Sequence, residues 1–198
     1  MGARAAINIA CGVKGRVLAG VLLLAAFGTA CGGAAQGGSS NETAADALNR
    51  GLAAHAAGKL DEAVTAYFQT LAKDPKNKFA FYNLGEISQR QNRLGGAESY
   101  YRLALEQDPS MVSALFNLAI IRTNAGAPQE AVALYRRVIE ADGSYAAAHF
   151  NLGLLLRQLG QTAEAQTELA KAQQLDAKLV APSAPASPAR QATSTPHP

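Results

Sequence analysis

The sequence has little of what covalent bracing and most active sites require: two cysteines, three histidines and no tryptophan in 198 residues. Both cysteines, Cys11 and Cys31, lie near the start, and loss of Cys11 with a leader leaves one thiol, so no internal disulfide can form. Acidic residues are missing before Glu42; all 15 lie between Glu42 and Asp176, whereas Arg4, Lys14 and Arg16 precede Val17. Removing those three cations leaves 15 Lys and Arg against 15 Asp and Glu, a net charge of zero. Such a balance gives no electrostatic reason to bind nucleic acid, where affinity rests on Lys and Arg neutralising phosphates. The apolar run at residues 17–30 is short of the roughly 20 residues a membrane-spanning helix needs. What remains, with 48% apolar residues, suffices for one modest domain and is too short for a large enzyme.

A cationic start followed by an apolar run has the order of a secretory signal over residues 1–30. The stretch Phe27-Gly28-Thr29-Ala30-Cys31 resembles the lipobox of bacterial lipoproteins, with small residues before the cysteine and Gly28 where the family usually has leucine. The resemblance implies acylation of Cys31, cleavage before it, and a membrane anchor facing the periplasm or cell exterior. Gly32 after the cysteine implies the outer membrane, if the organism has one. Several acyl chains would hold firmly, since each buried CH₂ contributes about 0.8 kcal/mol. Residues 31–43, rich in Gly, Ser and Ala, are expected to be a flexible tether of roughly 20 Å end to end. The Pro-, Ala- and Ser-rich residues 180–198 are expected to be a disordered tail.

The middle of the chain repeats. Asp74, Asp108, Asp142 and Asp176 are spaced 34 residues apart, as are Asn49, Asn83, Asn117 and Asn151. Ala63, Ala97, Ala131 and Ala165 keep the same interval, as do Gly51, Gly85 and Gly153 with Ala119 in the third slot, and Tyr67, Tyr101 and Tyr135 with Leu169 in the fourth. Asp and Asn are scarce enough here that chance does not account for this. Apolar residues at helical spacing over 83–91 and 96–106, separated by Asn92-Arg93-Leu94-Gly95, predict a helical hairpin. Asp108-Pro109 should end the second helix, because the residue before proline avoids the α region.

A 34-residue period with these residues resembles the tetratricopeptide repeat (TPR), over units 44–77, 78–111, 112–145 and 146–179. Phe81, Leu84, Gly85, Ala97, Tyr101, Ala104 and Pro109 fill that family's slots in order. The resemblance implies an all-α fold, a right-handed α-solenoid of about four helical hairpins, each too small to bury its apolar face alone.

In that family the first helix of each unit lines a concave groove, and certain positions of it point inward. On this chain they give Phe79, then Tyr82, Phe116 and Phe150 beside the row Asn49, Asn83, Asn117 and Asn151, and further along Ile120 and Leu154. The amide row resembles the asparagine ladder of superhelical TPR proteins that hold extended peptides; amides at this slot can also bond within the stack. The aromatic residues divide between groove contact and packing between repeats. Arg90 and Arg157 alone do not make the carboxylate clamp of chaperone-binding relatives, so an apolar helix or strand is the expected ligand.

Catalytic readings have little support. His55 and His149 are three repeats apart and His197 lies in the tail, so no metal cluster or His relay is expected in one monomer. Gly58-Lys59 lacks the flanking residues of a phosphate loop, and Asp61-Glu62 suits the start of a helix. We therefore expect no catalytic, metal or cofactor site. The expected function is a membrane-tethered, pilotin-like scaffold binding a peptide or helix of an envelope protein. The alternative is a self-associating structural protein, and an accessory part of a TPR-containing transferase ranks below both.

Overall fold

The computed structural model describes residues 41–181; the signal peptide, Cys31, most of the tether and nearly all of the tail expected from sequence lie outside them. Eight helices run α1 (Ala44–Ala56), α2 (Leu60–Lys73), α3 (Lys78–Arg90), α4 (Leu94–Gln107), α5 (Val112–Asn124), α6 (Pro128–Ala141), α7 (Ala146–Gln158) and α8 (Thr162–Leu175), with no strand among the described residues. The odd-numbered helices start 34 residues apart and each packs against the helix after it, making four hairpins stacked in order.

The repeated residues each have a mechanical reason. A Cβ placed on Gly85 would stand 2.6 Å from the Tyr101 ring, and one on Gly51 would stand 2.6 Å from the Tyr67 ring. Glycine therefore lets the paired helices close on a buried tyrosine, and Tyr67, Tyr101 and Tyr135 are sequestered from solvent. In the fourth hairpin a Cβ on Gly153 would meet Leu169 at 2.7 Å, so the smaller side chain occupies the same gap.

The aspartate row is turn chemistry. Asp74, Asp108, Asp142 and Asp176 each cap the C-terminus of a second helix. Each carboxylate accepts from the backbone N–H two residues on: Lys76 at 3.3 Å, Ser110 at 3.0 Å, Ser144 at 2.9 Å and Lys178 at 3.0 Å. Such Asx turns satisfy the chain as it leaves the helix. Asp108 also receives Lys78 Nζ at 2.7 Å, which with the Ser110 bonds holds its carboxyl below the usual range.

The turn inside each hairpin is tighter than residues 92–95 suggested. Leu94 and Gly95 belong to α4, and the turn is completed by Asn92, whose φ of 57° reverses the chain, with Arg93 N–H bonding back to the Ser88 carbonyl at 2.8 Å. Gly58, Gly126 and Gly160 hold the same left-handed conformation at the same interval, where glycine avoids a Cβ clash and asparagine is tolerated.

The helix start at α1 is fixed by a capping box: Thr43 Oγ1 accepts from the Asp46 N–H at 3.1 Å, while Asp46 accepts from the Thr43 N–H at 3.0 Å. The adjacent acids Asp61 and Glu62 lie in the first turn of α2, where carboxylates favour the helix dipole.

Candidate functional site: the groove along the first helices

The inward residues of α1, α3, α5 and α7 form one continuous face, but they do not share one role. Phe79 is 49% exposed and Leu52 is 42% exposed, large apolar side chains left in solvent beside each other's repeats. Lys78 Nζ lies 5.1 Å from the Phe79 ring centroid and covers part of it. Ile120, Asn151 and Leu154 line one recess of about 340 Å³ together with Thr123, Tyr135 and Gln158. A second recess of about 390 Å³ is lined by Glu86, Gln89, Arg90, Tyr101 and Asn117.

Other members of the face are held by packing. Phe116 sits 4.9 Å from Tyr145 and 5.9 Å from Tyr135, ring centre to ring centre, and Tyr82 sits 5.8 Å from Tyr101. Phe150 is half-buried, without a ring partner among the described residues.

The asparagine row splits in the same way. Asn83 is only 7% exposed and its amide donates to the Phe79 carbonyl at 2.7 Å. Asn117 donates to the hydroxyls of Tyr101 at 3.2 Å and Tyr82 at 3.4 Å, tying its repeat to the one before. Asn151 and Thr123 line the same recess as Tyr135 and partly offset the rise that burial imposes on its hydroxyl. Asn49, which has no preceding repeat, is exposed.

These bonds belong to a device that the sequence reading missed. The hydroxyl of each buried tyrosine reaches the groove floor and meets a polar residue near the end of its own first helix: Tyr67 with His55 at 3.5 Å and Tyr101 with Gln89 at 2.8 Å. The periodic pairing of Tyr67, Tyr101 and Tyr135 with His55, Gln89 and Thr123 was the available signal. Burial, then the nearby Glu86 carboxylate, pushes Tyr67 and Tyr82 up to about 12, and burial raises Tyr101 further. The floor is therefore a neutral hydrogen-bonded layer at ordinary pH, with Glu86 as its negative charge and Arg90, which donates to His55 Nε2 at 3.3 Å, as a positive one.

Among the described residues no group of three or more His, Cys, Asp and Glu is placed to hold a metal ion, and no helix is long and apolar enough to cross a membrane. What the face offers is an extended surface, apolar in stripes and polar at its base, on a stack of helical hairpins. That combination defines a repeat solenoid that acts by contact. Sequence models of the tetratricopeptide repeat match residues 48–112 and 82–146, and a second model of that repeat matches residues 123–181. The chain belongs to the tetratricopeptide repeat family and is a protein-interaction scaffold.

Solved structures agree on the fold. MamA is similar at a TM-score of 0.62 and 19% identity, over 68% of this chain and 79% of that one. YrrB, described as a TPR protein with an unusual peptide-binding site, is similar at 0.64 and 20% identity, over 70% of this chain and 71% of its own. A tetratricopeptide repeat protein from Parabacteroides merdae is similar at 0.61 and 24% identity, over 68% and 54% respectively. No curated protein sequence matches significantly.

Proposed function

We propose that the chain is a non-catalytic, membrane-tethered adaptor that holds an apolar helix or extended segment of an envelope protein along the groove. The observation that carries this reading is the exposure of Leu52 and Phe79 on the first helices of the first two repeats together with a recess lined by Ile120 and Leu154 on those of the last two, apolar surface that a solvated face does not need. In this reading Phe79, Ile120, Phe150 and Leu154 meet the ligand's apolar side chains, and Tyr82 and Phe116 shape the wall. The N–H groups of Asn83 and Asn117 are committed to the Phe79 carbonyl and the Tyr101 hydroxyl, so their amide oxygens are assigned to ligand N–H groups, with Asn49 and Asn151 as the end contacts. Acylated Cys31 supplies the tether, and assembly of an envelope complex, as pilotin-type lipoproteins perform it, is the role this arrangement suits.

Pull-down from envelope extracts tests the groove. Phe79→Ala/Leu154→Ala should lose a partner that wild type retains, and Asn83→Ala/Asn117→Ala should weaken it; equal recovery by all three forms sinks the assignment. Sedimentation of the purified chain separates a foreign ligand from a second copy, since self-association lost in the Phe79→Ala/Leu154→Ala form would point to the latter. Labelling with palmitate should mark wild type and leave Cys31→Ser unlabelled.

A further inference from the structure

On the face opposite the groove, repeats are clasped by charge. Across the junction of the second and third repeats Arg122 Nη1 donates to Glu98 at 3.1 Å, while its Nε donates to Glu130 of its own repeat at 2.8 Å. Arg102 bridges the same two acids at 2.8 and 3.0 Å. The clasp recurs between the third and fourth repeats as Arg136 to Glu164 at 2.6 Å, where Arg102 and Glu130 are each advanced by 34 residues. Counting back by 34 from Glu98, Arg102, Arg122 and Glu130 gives Val64, Phe68, Ser88 and Gly96. All four charges are gone at the first junction.

Those four replacements come together. Val64, Phe68, Ser88 and Gly96, with Leu84, Tyr100 and Arg93, line a recess of about 340 Å³, within the range of ligand-sized pockets. Packing does not require it. A Cβ on Gly96 would find its nearest atom, Ser88 Oγ, 3.8 Å away, and one on Gly95 would find nothing within 4 Å. Two successive glycines in the first turn of α4 weaken the helix without a close approach to justify them. Phe68 meanwhile stands 48% exposed at the rim.

The polar groups of the recess say what fits. Ser88 is 3% exposed, and its hydroxyl, which makes no hydrogen bond to protein among the described residues, remains open to solvent. Arg93, exposed at the mouth, forms no ion pair among them either. Apolar walls, an unpartnered hydroxyl within and an uncommitted cation at the entrance complement an apolar side chain with a carboxylate next to it. We propose that this recess is a second docking site, which takes an acidic segment of a partner protein with an aromatic or branched aliphatic residue inserted beside Phe68 and a carboxylate paired with Arg93.

The probe is a random twelve-residue peptide library, selected on the full chain in mild detergent. Enriched peptides should carry an apolar residue adjacent to Asp or Glu. They should bind Phe68→Arg/Gly96→Glu at least tenfold more weakly, since that pair gives the apolar recess the charged lining of the next junction, where a recess persists but is walled by Arg102 and Glu130. They should bind Phe79→Ala as tightly as wild type, which keeps this site distinct from the groove. Thermal melting should show the double variant at least as stable as wild type; if it fails to fold, Arg93→Glu and Phe68→Ala serve in its place, the former reversing the preference toward basic peptides. Enriched peptides indifferent to these substitutions, or none that depend on the recess, would overturn the proposal, as would self-association that the double variant abolishes.

Discussion

Glycine carries two unrelated burdens in this chain, and single substitutions separate them. At Gly85 the Cβ of alanine would collide with the Tyr101 ring at 2.6 Å, so Gly85→Ala should lose about 1–3 kcal/mol in urea unfolding, as overpacked cores do. Gly96→Ala, in open space on a helix, should instead gain about 0.5–1 kcal/mol. Gly126→Ala, at a φ of 71°, should lose about 1–2 kcal/mol through backbone strain alone. The first of these roles was readable from the recurrence of Gly with Tyr in the repeat. The left-handed row was not, because its second member is Asn92 and the others sit among many glycines of a Gly-rich chain. The asparagine row was legible as a row but not in its bonding: Asn83 uses its amide hydrogens on the Phe79 carbonyl within its own helix, whereas Asn117 reaches Tyr82 and Tyr101, partners that appear only when successive repeats are brought together.

At the scale of the helix, the hairpins share one plan but are joined differently. The clasp of Arg122, Arg102, Glu98 and Glu130 is partly shielded; burial raises the Glu98 carboxyl, but hydrogen bonding to Arg102 and the charge of Arg122 outweigh it and leave the group below its ordinary value. A double-mutant cycle over Arg122→Ala and Glu98→Ala, a pair that crosses the junction, should give a coupling of about 0.5–1 kcal/mol that shrinks as salt is raised. Zero coupling at low salt would mean that apolar packing alone joins these repeats. A 34-residue period announces that helices stack; it does not announce which junctions are held by charge. That emerged because α2, α4 and α6 place residues 34 apart at equivalent points, so Phe68 and Gly96 could be compared with Arg102 and Glu130.

For the stack as a whole, the buried tyrosines link stability to alkaline pH. Tyr67 and Tyr82 are held near 12 when folded, against about 10 when unfolded, so above pH 10 the unfolded chain releases protons that the folded one retains. Their contribution is full below pH 10 and is lost progressively as pH rises toward 12. Circular dichroism and tyrosinate absorbance followed together should therefore show the midpoint of urea unfolding falling over that interval, with buried tyrosines ionising only as helix is lost. Tyrosinate absorbance that rises fully before any helix is lost would mean the ring hydroxyls are not sequestered. The working claim about the molecule is that contact along the first helices performs its function. Site-specific photo-crosslinking in intact cells tests it most directly, with the reactive group placed at Phe79 or Leu154 in the groove and at Glu140 or Gln166 on the exposed second helices. The account predicts a discrete adduct from the groove positions and none from the other two; adducts confined to Glu140 and Gln166 would contradict it.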